Sequence, residues 1–332
     1  MKKGISILMM MMLIIGLLAG CGSESSTQPK EGETITLKLA NNSPVGESRD
    51  LAALKFAELV EEKTNGKVVV EVFSGGTLGS WRDTVEGLKP GIVNVVLESL
   101  GTISAYTELA NIDAVPFLYR DDDHFKKVWY RDLGNEILEK AGQEGGFEML
   151  GPMYRGARYV TSKKNIATAS DLNGFKIRVP NIRIYMRTWE KLGAIATPMN
   201  FTEVYTGIQQ GTVDGQENPL QVSYAAALYE VCPYLINTKH VYSVDTFIFD
   251  RDYFASLPEE TQGAIKEAAS EAGLWRTDFV IEMDDQIIKD FESKGVTFVE
   301  PEIDTFKVLV QDIVEEEFPD LVDFVKKIEA VQ

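Results

Sequence analysis

The early part of the sequence alternates between strand-like and helix-like stretches, and this alternation limits the chain to a small set of folds. Apolar residues occupy every second position from Ile35 to Leu39, as in a half-buried strand that ends near Asn41. The stretches that follow are a helix over 48–64, a Val-rich strand over 67–73, a helix over 81–88 and an apolar strand over 92–97. Such a β-α-β-α-β order predicts a largely parallel sheet that helices cover.

A second α/β set follows in the middle of the chain. It comprises a strand over 175–179, a helix over 184–192, a short helix over 202–210 and a strand that begins near 213. Two such sets predict two lobes, and in open α/β sheets ligands bind beyond the carboxyl ends of the strands. The candidate ligand-binding positions at strand ends are Asn41, Glu98, Arg178 and the segment 214–218.

The last third of the sequence predicts long elements. Residues 241–250 form a long strand candidate, and a helical pattern runs from 258 to 293 with Gly273 as its only interruption. Ser256 to Glu259 fits a capping box at the start of this helix. A further amphipathic helix is predicted from Phe306 to Ile313.

The charge and the residue types exclude several functional classes. The chain of 332 residues has 33 Lys and Arg against 51 Asp and Glu, a net charge of -18. This acidic balance argues against nucleic-acid binding and against electrostatic adsorption to anionic lipid. With two Cys and two His, the chain has no disulfide scaffold, and we expect no metal site. An anionic ligand would have to bind against this negative background.

The N-terminus has the features of a secretory signal. Basic Met1–Lys3 precedes an apolar run over 5–19 that is too short to span a bilayer comfortably. Leu18-Ala19-Gly20-Cys21 resembles a bacterial lipobox, which implies cleavage before Cys21 and a lipid on its sulfur. Residues 1–20 are thus predicted to be a signal peptide and 21–33 a flexible tether. Cleavage would remove two Lys and no acid, leaving 31 basic and 51 acidic side chains and a net charge of -20.

Motifs of common enzyme classes are absent from the sequence. There is no G-x-S-x-G nucleophile motif, and Gly75–Gly79 lacks the Gly-Lys-Ser/Thr ending of a phosphate loop. The acidic run Asp121–Asp123 lacks the Gly and the distal Glu of an EF-hand loop. These absences disfavour a nucleophilic or metal-dependent enzyme, and we expect no cofactor and no metal.

Two arginines lie in unusually apolar surroundings. Arg178 ends the stretch Phe175–Val179 before Pro180, and Arg158 follows Gly156-Ala157 and precedes an aromatic residue. A guanidinium matches a carboxylate in a bidentate fork, so either residue could bind an organic acid. Alternatively, each could pair with one of the many structural acids of the chain. The residues alone leave both readings open.

Three blocks of sequence resemble the solute receptors of TRAP (tripartite ATP-independent periplasmic) transporters, the family of dicarboxylate- and sialate-binding proteins. The similarity runs over about residues 34–330. The matching blocks are Asp171–Asn181, Leu192–Tyr205 (Leu-Gly-Ala and Thr-Pro-Met-Asn-Phe-Thr-Glu-Val-Tyr) and Gln209–Pro219, which contains Gly-Gln-Glu-Asn-Pro. The last block is highly specific to the family.

The resemblance implies roles for particular side chains. In this family the Arg of the K-x-R-V-P strand forms a bidentate salt bridge with the ligand carboxylate, and it matches Arg178. A second Arg, which matches Arg158, commonly engages the ligand too. The Asn that matches Asn218 contacts the ligand near its carboxylate, and Phe201 matches an aromatic residue that packs against the ligand body.

Weaker matches extend this site. Glu98 and Asn41 match positions that vary with the ligand. Neighbouring candidates are Tyr185, Asn181 and Gln216. An acid such as Glu98 would repel a second carboxylate unless an Arg or Lys offsets it, so we expect a hydroxylated monocarboxylate such as a uronate or an aldonate. A C4-dicarboxylate or a sialic acid remains the alternative.

The resemblance also implies an architecture and partners. It implies a periplasmic-binding-protein-like α/β fold with an interlobe cleft, crossing hinge strands near 155 and 243, and a long helix that spans both lobes. The boundaries are 34–155 plus 244–283 for lobe I and 156–243 plus 284–332 for lobe II. The closed, lipid-anchored receptor would deliver its ligand to the membrane subunits of a TRAP permease outside the cytoplasm. Alternatives are a receptor that feeds a sensor kinase and an enzyme of small carboxylates.

Overall fold

Three parallel strands open the part of the chain that the computed structural model describes, residues 34–332. The elements are β1 (Ile35–Ala40), α1 (Ser48–Lys63), β2 (Val68–Phe73), α2 (Trp81–Glu86) and β3 (Val95–Ser99). Strand β1 pairs in parallel with β2 and with β3, which confirms the predicted β-α-β-α-β unit. The predicted signal peptide, the lipidation site Cys21 and the tether lie outside the described residues.

Two antiparallel strands interrupt the parallel arrangement. After α3 (Asp122–Trp129) and α4 (Asp132–Gly145), the chain forms β4 (Phe147–Ser162); much later it forms β9 (Tyr242–Asp250). Strand β9 lies between β3 and β4 and runs antiparallel to both. The expectation of a largely parallel sheet is therefore wrong at this point. A strand that arrives from a distant part of the chain needs no parallel crossover to its neighbours.

The second lobe is built on the other half of β4. Its elements are β5 (Lys176–Val179), α5 (Arg183–Lys191), β6 (Ile195–Pro198), α6 (Val204–Gln209), β7 (Gly215–Pro219), α7 (Leu220–Ala225), β8 (Tyr234–Ile236) and β10 (Thr297–Val299). The main strand order is β2-β1-β3-β9-β4-β7-β5-β6. The first part of β4 pairs with β9 and its last five residues pair with β7, so β4 crosses from one lobe to the other.

One helix of 35 residues connects the lobes. After α8 (Arg251–Ser256), helix α9 (Glu259–Ser293) packs on α1 and β4 and also contacts α7 and β10. At 1.5 Å per residue it is about 52 Å long. The helix continues through Gly273, and a Cβ at this position would lie 3.0 Å from the carbonyl oxygens of Gly151 and Pro152 in β4. Gly273 thus permits close packing and does not interrupt the helix.

The predicted capping box of α9 does not form. The N-cap residue is Pro258, which makes no side-chain capping bond. Ser256 ends α8 instead, and its hydroxyl donates to the carbonyl of Tyr253. A local sequence motif cannot show that its Ser belongs to the preceding helix.

The C-terminal segment contains three short helices, α10 (Asp304–Val310), α11 (Ile313–Glu317) and α12 (Val322–Glu329). The helix predicted from Phe306 to Ile313 is thus split between α10 and α11. Over residues 34–332, no helix combines the length and the apolar character needed to cross a membrane. The fold is the predicted two-lobed α/β class, whereas the exact lobe boundaries stay a prediction.

Candidate functional site

A cavity lies where the two lobes and the crossing strand β4 meet. Six of the nine predicted ligand-binding residues line it: Arg178, Arg158, Asn218, Phe201, Glu98 and Tyr185. The cavity therefore collects side chains from β3, β4, β5 and β7 and from helix α5. The wall also contains six polar residues that the sequence did not single out: Arg155, Arg49, Asn42, Ser43, Ser99 and Thr102.

Arg178 is a buried cation without a carboxylate partner. It lies in β5 and is 3% exposed, and its Nε and Nη2 donate to the carbonyl of Met199 at 2.9 and 2.6 Å. Within residues 34–332, no Asp or Glu oxygen comes within 4.0 Å of this guanidinium. Burial lowers the pKa of Arg178 to about 9, so the protein does not offset the desolvation of its charge. The two bonds to Met199 fix the side chain and leave Nη1 available for a ligand.

Arg158, by contrast, is paired with a structural acid. Its Nη2 donates to Glu217 Oε1 at 2.7 Å, and its Nε donates to the other oxygen of that carboxylate. Although burial raises the pKa of Glu217, the attraction of Arg158 outweighs it and the pKa falls to about 2. Only Nη1 of Arg158 is buried without a hydrogen-bond partner. Of the two readings of this Arg, the structural pairing is confirmed, and a contact with ligand stays a prediction for Nη1.

Arg155 is a cavity residue that the sequence reading missed. Residues three apart on a regular strand point to opposite faces of the sheet, so Arg155 and Arg158 should not share a cavity. The pairing of β4 with β9 shifts register between Tyr154 and Ala157, and Gly156 in this bulge has a φ of +103°. The bulge turns both guanidinium groups toward the cavity. In the sequence, the one signal of this bulge was the glycine at position 156, directly after Arg155.

Arg155 also has weak partners. Its Nη2 lies 3.3 Å from Asn218 Oδ1, its Nε is 3.8 Å from Asp245 Oδ1, and that Nε makes no hydrogen bond. Burial, followed by repulsion from Arg49, lowers the pKa of Arg155 to about 10.

Glu98 belongs to a buried charge network. Its Oε2 accepts from Arg49 Nη1 at 2.6 Å, and its Oε1 accepts from the backbone N–H of Asn42 at 3.1 Å. Arg49 also donates to both carboxylate oxygens of Asp245, from Nε at 2.9 Å and from Nη2 at 2.7 Å. Arg276 Nη1 donates to the same carboxylate at 2.6 Å. Arg49 attracts the charge of Glu98, but burial outweighs this attraction and raises the pKa of Glu98. The Glu98 oxygens keep lone pairs for a ligand hydroxyl.

A sequence signal for Arg49 did exist. It lies in the first turn of α1, where the positive end of the helix dipole disfavours a cation, so an Arg there requires an acid nearby.

Asn218 is held in place by Gln216. Its Nδ2 donates to Gln216 Oε1 at 2.5 Å, and the amide of Gln216 donates to Thr161 and Ser223 at 2.7 and 3.1 Å. Gln216 is fully buried and does not line the cavity. Of this predicted pair, only Asn218 is positioned to reach a ligand, and Gln216 orients it.

Two aromatic rings lie against the guanidinium groups of Arg178 and Arg158. The Arg178 guanidinium carbon lies 5.7 Å from the ring centre of Phe201, and that of Arg158 lies 4.9 Å from the ring centre of Tyr185. Cation–π contacts of this length stabilise a guanidinium without neutralising it. The hydroxyl of Tyr185 lies 3.4 Å from Ser243 Oγ.

The predicted residues Asn41 and Asn181 do not line the cavity. Asn41 is buried, and its side chain bonds to the loops that follow β1 and β2. It donates to Ser74 Oγ and accepts from the backbone N–H of Ser43, each at 3.0 Å. Its neighbour Asn42 lines the wall instead. The side chain of Asn181 is exposed, while Pro180 and Ile182 on either side of it line the cavity. In both cases the prediction is off by one residue along the chain.

Comparison with known proteins places the chain in a family. Residues 39–319 match the model of the bacterial extracellular solute-binding proteins, family 7. The chain is 30% identical over 328 residues to the 2,3-diketo-L-gulonate-binding periplasmic protein of Escherichia coli K12, with 97% of each chain covered.

Solved structures agree with this assignment. A TRAP periplasmic solute-binding protein from Roseobacter denitrificans with bound L-galactonate has a TM-score of 0.85 and 32% identity, and the match covers 89% of this chain and 99% of that one. A TRAP protein from Xanthobacter autotrophicus with bound β-D-galacturonate has a TM-score of 0.85 and 28% identity, with 89% and 100% covered. The chain therefore belongs to family 7 of the bacterial extracellular solute-binding proteins and is a TRAP solute-binding protein.

Proposed function

We propose that the chain captures a sugar acid, a hydroxylated organic acid such as an aldonate or a uronate, in the cavity between its lobes. It then delivers this ligand to the membrane subunits of a TRAP permease. The observation that carries the proposal is the buried Arg178, which has no carboxylate within 4.0 Å among residues 34–332. A buried charge without a partner is costly, so an anionic ligand would supply the missing partner.

The rest of the wall suits a hydroxylated molecule. Donors and acceptors for ligand hydroxyls line the same cavity as Arg178. They belong to Asn218, Glu98, Asn42 and Ser43. Phe201 offers an apolar face for the carbon chain. A relative and two structural neighbours bind or hold a sugar acid, namely 2,3-diketo-L-gulonate, L-galactonate and β-D-galacturonate. This agreement supports a sugar acid over a simple C4-dicarboxylate.

The chain itself performs binding without chemistry. Ligand would enter the open cleft, and Arg178 would take its carboxylate while residues of lobe I take its hydroxyls. Closure about β4 and β9 is then favoured, because the ligand contacts both lobes only in the closed state. The permease would recognise that closed state.

Calorimetric titration of a purified chain that begins at residue 34 tests the proposal. The ligand panel contains L-galactonate, D-galacturonate, succinate and N-acetylneuraminate. We expect heat of binding with at least one sugar acid and a dissociation constant of about 1 μM or below, equivalent to about -8 kcal/mol. Binding of succinate or N-acetylneuraminate with neither L-galactonate nor D-galacturonate bound would replace the proposed ligand class. NMR of the recovered ligand checks that it is unchanged, as expected for a protein that is not an enzyme.

We further propose that Cys21 carries the lipid that holds the protein at the outer face of the cell membrane. The Leu18–Cys21 motif and the polar tether after it support this. The expression of a Cys21→Ala variant tests it, because the variant should leave the membrane fraction while it keeps its ligand affinity.

A further inference from the structure

We propose that Arg155 forms a second anion-binding position in the cavity, and that the site therefore prefers sugar acids with a carboxylate at both ends over those with one. The ligand class is the hydroxylated diacids, the aldarates. The inference rests on the proposed function, because it requires that the same cavity binds a sugar acid at Arg178.

The two guanidinium groups reach the cavity from different strands. Arg155 lies in β4 and Arg178 in β5, and β7 lies between these strands in the sheet. Adjacent strands are about 4.8 Å apart, and Arg155 lies three residues before the part of β4 that pairs with β7, so the two backbones are more than about 10 Å apart. Asn218, in the middle strand, faces the cavity and lies 3.3 Å from Arg155 Nη2. A carboxylate held at Arg178 would then leave Arg155 for the second carboxylate of a sugar diacid.

Two of the arginines around the cavity have no short ion pair. Three acids with short ion pairs face five arginines in this region. Glu217 pairs with Arg158, while Glu98 and Asp245 share the three arginines Arg49, Arg276 and Arg155. In this second group Arg155 is the one in excess, since Asp245 already receives short bonds from the other two and lies 3.8 Å from Arg155. Arg178 is the other unmatched cation.

Further buried acids lie near this group, among them Glu47 and Asp113. The Glu47 carboxylate accepts from the backbone N–H of Arg49 at 3.0 Å and attracts the Arg49 guanidinium. Asp113 is buried, and its carboxylate accepts from the backbone N–H groups of Val244 and Gly101 at 2.7 and 3.3 Å. It forms no salt bridge among residues 34–332. Burial raises the pKa of Asp113 to about 7, so it is only partly ionised at neutral pH. Arg155 and Arg178 therefore remain without a short ion pair, and the attraction of Arg49 for the Glu98 carboxylate reduces the repulsion that a second ligand carboxylate would meet.

The test compares acids of equal chain length that differ in one carboxylate. Galactarate and galactonate are titrated into the wild-type chain, into Arg155→Gln and into the charge-keeping Arg155→Lys, with the exposed Arg183→Gln as a matched control. We expect wild type to bind galactarate at least about tenfold more tightly than galactonate, a difference of about 1.4 kcal/mol. Arg155→Gln should weaken galactarate at least about tenfold more than galactonate, and Arg155→Lys should lie between.

The outcomes separate this inference from the proposed function. If wild type binds galactonate as tightly as galactarate, or if Arg155→Gln weakens both acids equally, the second position does not exist. The wild-type comparison decides this even if the variants fail to fold. If wild type binds neither of these acids nor any other sugar acid, the proposed function itself fails.

Discussion

Replacement of Arg178 by Met tests the charge argument, because it should weaken binding and stabilise the empty protein at the same time. Met keeps an unbranched apolar stem in the same place and removes the guanidinium. Most substitutions in a binding site that weaken ligand binding are neutral or destabilising. An opposite effect on the two properties would be specific to a buried cation that the ligand neutralises.

The loss of binding follows from the hydrogen bonds that a carboxylate would make. A hydrogen bond to a charged group contributes about 1.5–3 kcal/mol, so two of them contribute about 3–6 kcal/mol. This corresponds to a loss in affinity of roughly 10²-fold to 10⁴-fold.

The gain in stability follows from the burial of Arg178. Its pKa falls from 12.5 to about 9, and each unit corresponds to about 1.4 kcal/mol, so the charged form costs the empty protein about 5 kcal/mol. The variant leaves the carbonyl of Met199 without its donor, which costs about 1–3 kcal/mol. With allowance for imperfect packing of Met, we expect a net gain in the free energy of unfolding of about 2 kcal/mol.

Urea denaturation and calorimetric titration measure the two effects on the same preparations. The exposed Arg183→Met serves as the control, and it should change neither quantity by much. A variant that binds the sugar acid as tightly as wild type would refute the role of Arg178 in binding. A variant that is less stable than wild type without ligand would refute the claim that its charge is unmatched in the empty protein.

Three further predictions concern packing, acid stability and anchoring. Gly273→Ala should lower the free energy of unfolding by about 1–3 kcal/mol, because its Cβ would meet the β4 backbone. The control Gly263→Ala lies in the same helix with open space around it, so it should raise the free energy of unfolding by up to about 1 kcal/mol. Equal effects of the two variants in thermal denaturation would contradict the close packing. The depressed pKa of Glu217 gives stability that is present above pH 4.5 and is lost as pH falls toward about 2, which amounts to about 3 kcal/mol in acid denaturation. A Glu217→Gln variant should lack this part of the pH dependence, although it also leaves Arg158 unpaired. If the variant loses stability at low pH as steeply as wild type, the ion pair does not account for it. Cell fractionation should find Cys21→Ala outside the membrane fraction, and a variant that stays with the membrane would rule out the lipid anchor.

The sequence predicted most of the elements because their patterns are local. Strand β1, helices α1 and α9 and the strand that carries Arg178 lie within a few residues of their predicted bounds. Arg178 and Asn218 lie in sequence blocks that the family shares, and both line the cavity. Strand β9 could not be placed between β3 and β4 from its own residues, because its partners are distant in the chain.

The site was predicted less well where its geometry depends on contacts between distant segments. Arg155 reaches the cavity through a bulge at Gly156 that exists only in the pairing of β4 with β9. Arg158 was identified as a ligand-binding residue, but its partner Glu217 takes most of its donors. The chain's net negative charge also gave no indication of the sign of the charge inside the cavity, which four arginines line.

A crystal structure of the chain with a bound sugar acid tests the central claim most directly. The account predicts a carboxylate of the ligand in the cavity, with an oxygen at about 2.7–3.2 Å from a guanidinium nitrogen of Arg178. A ligand whose carboxylate lies against other residues, with only water or a hydroxyl at Arg178, would contradict it.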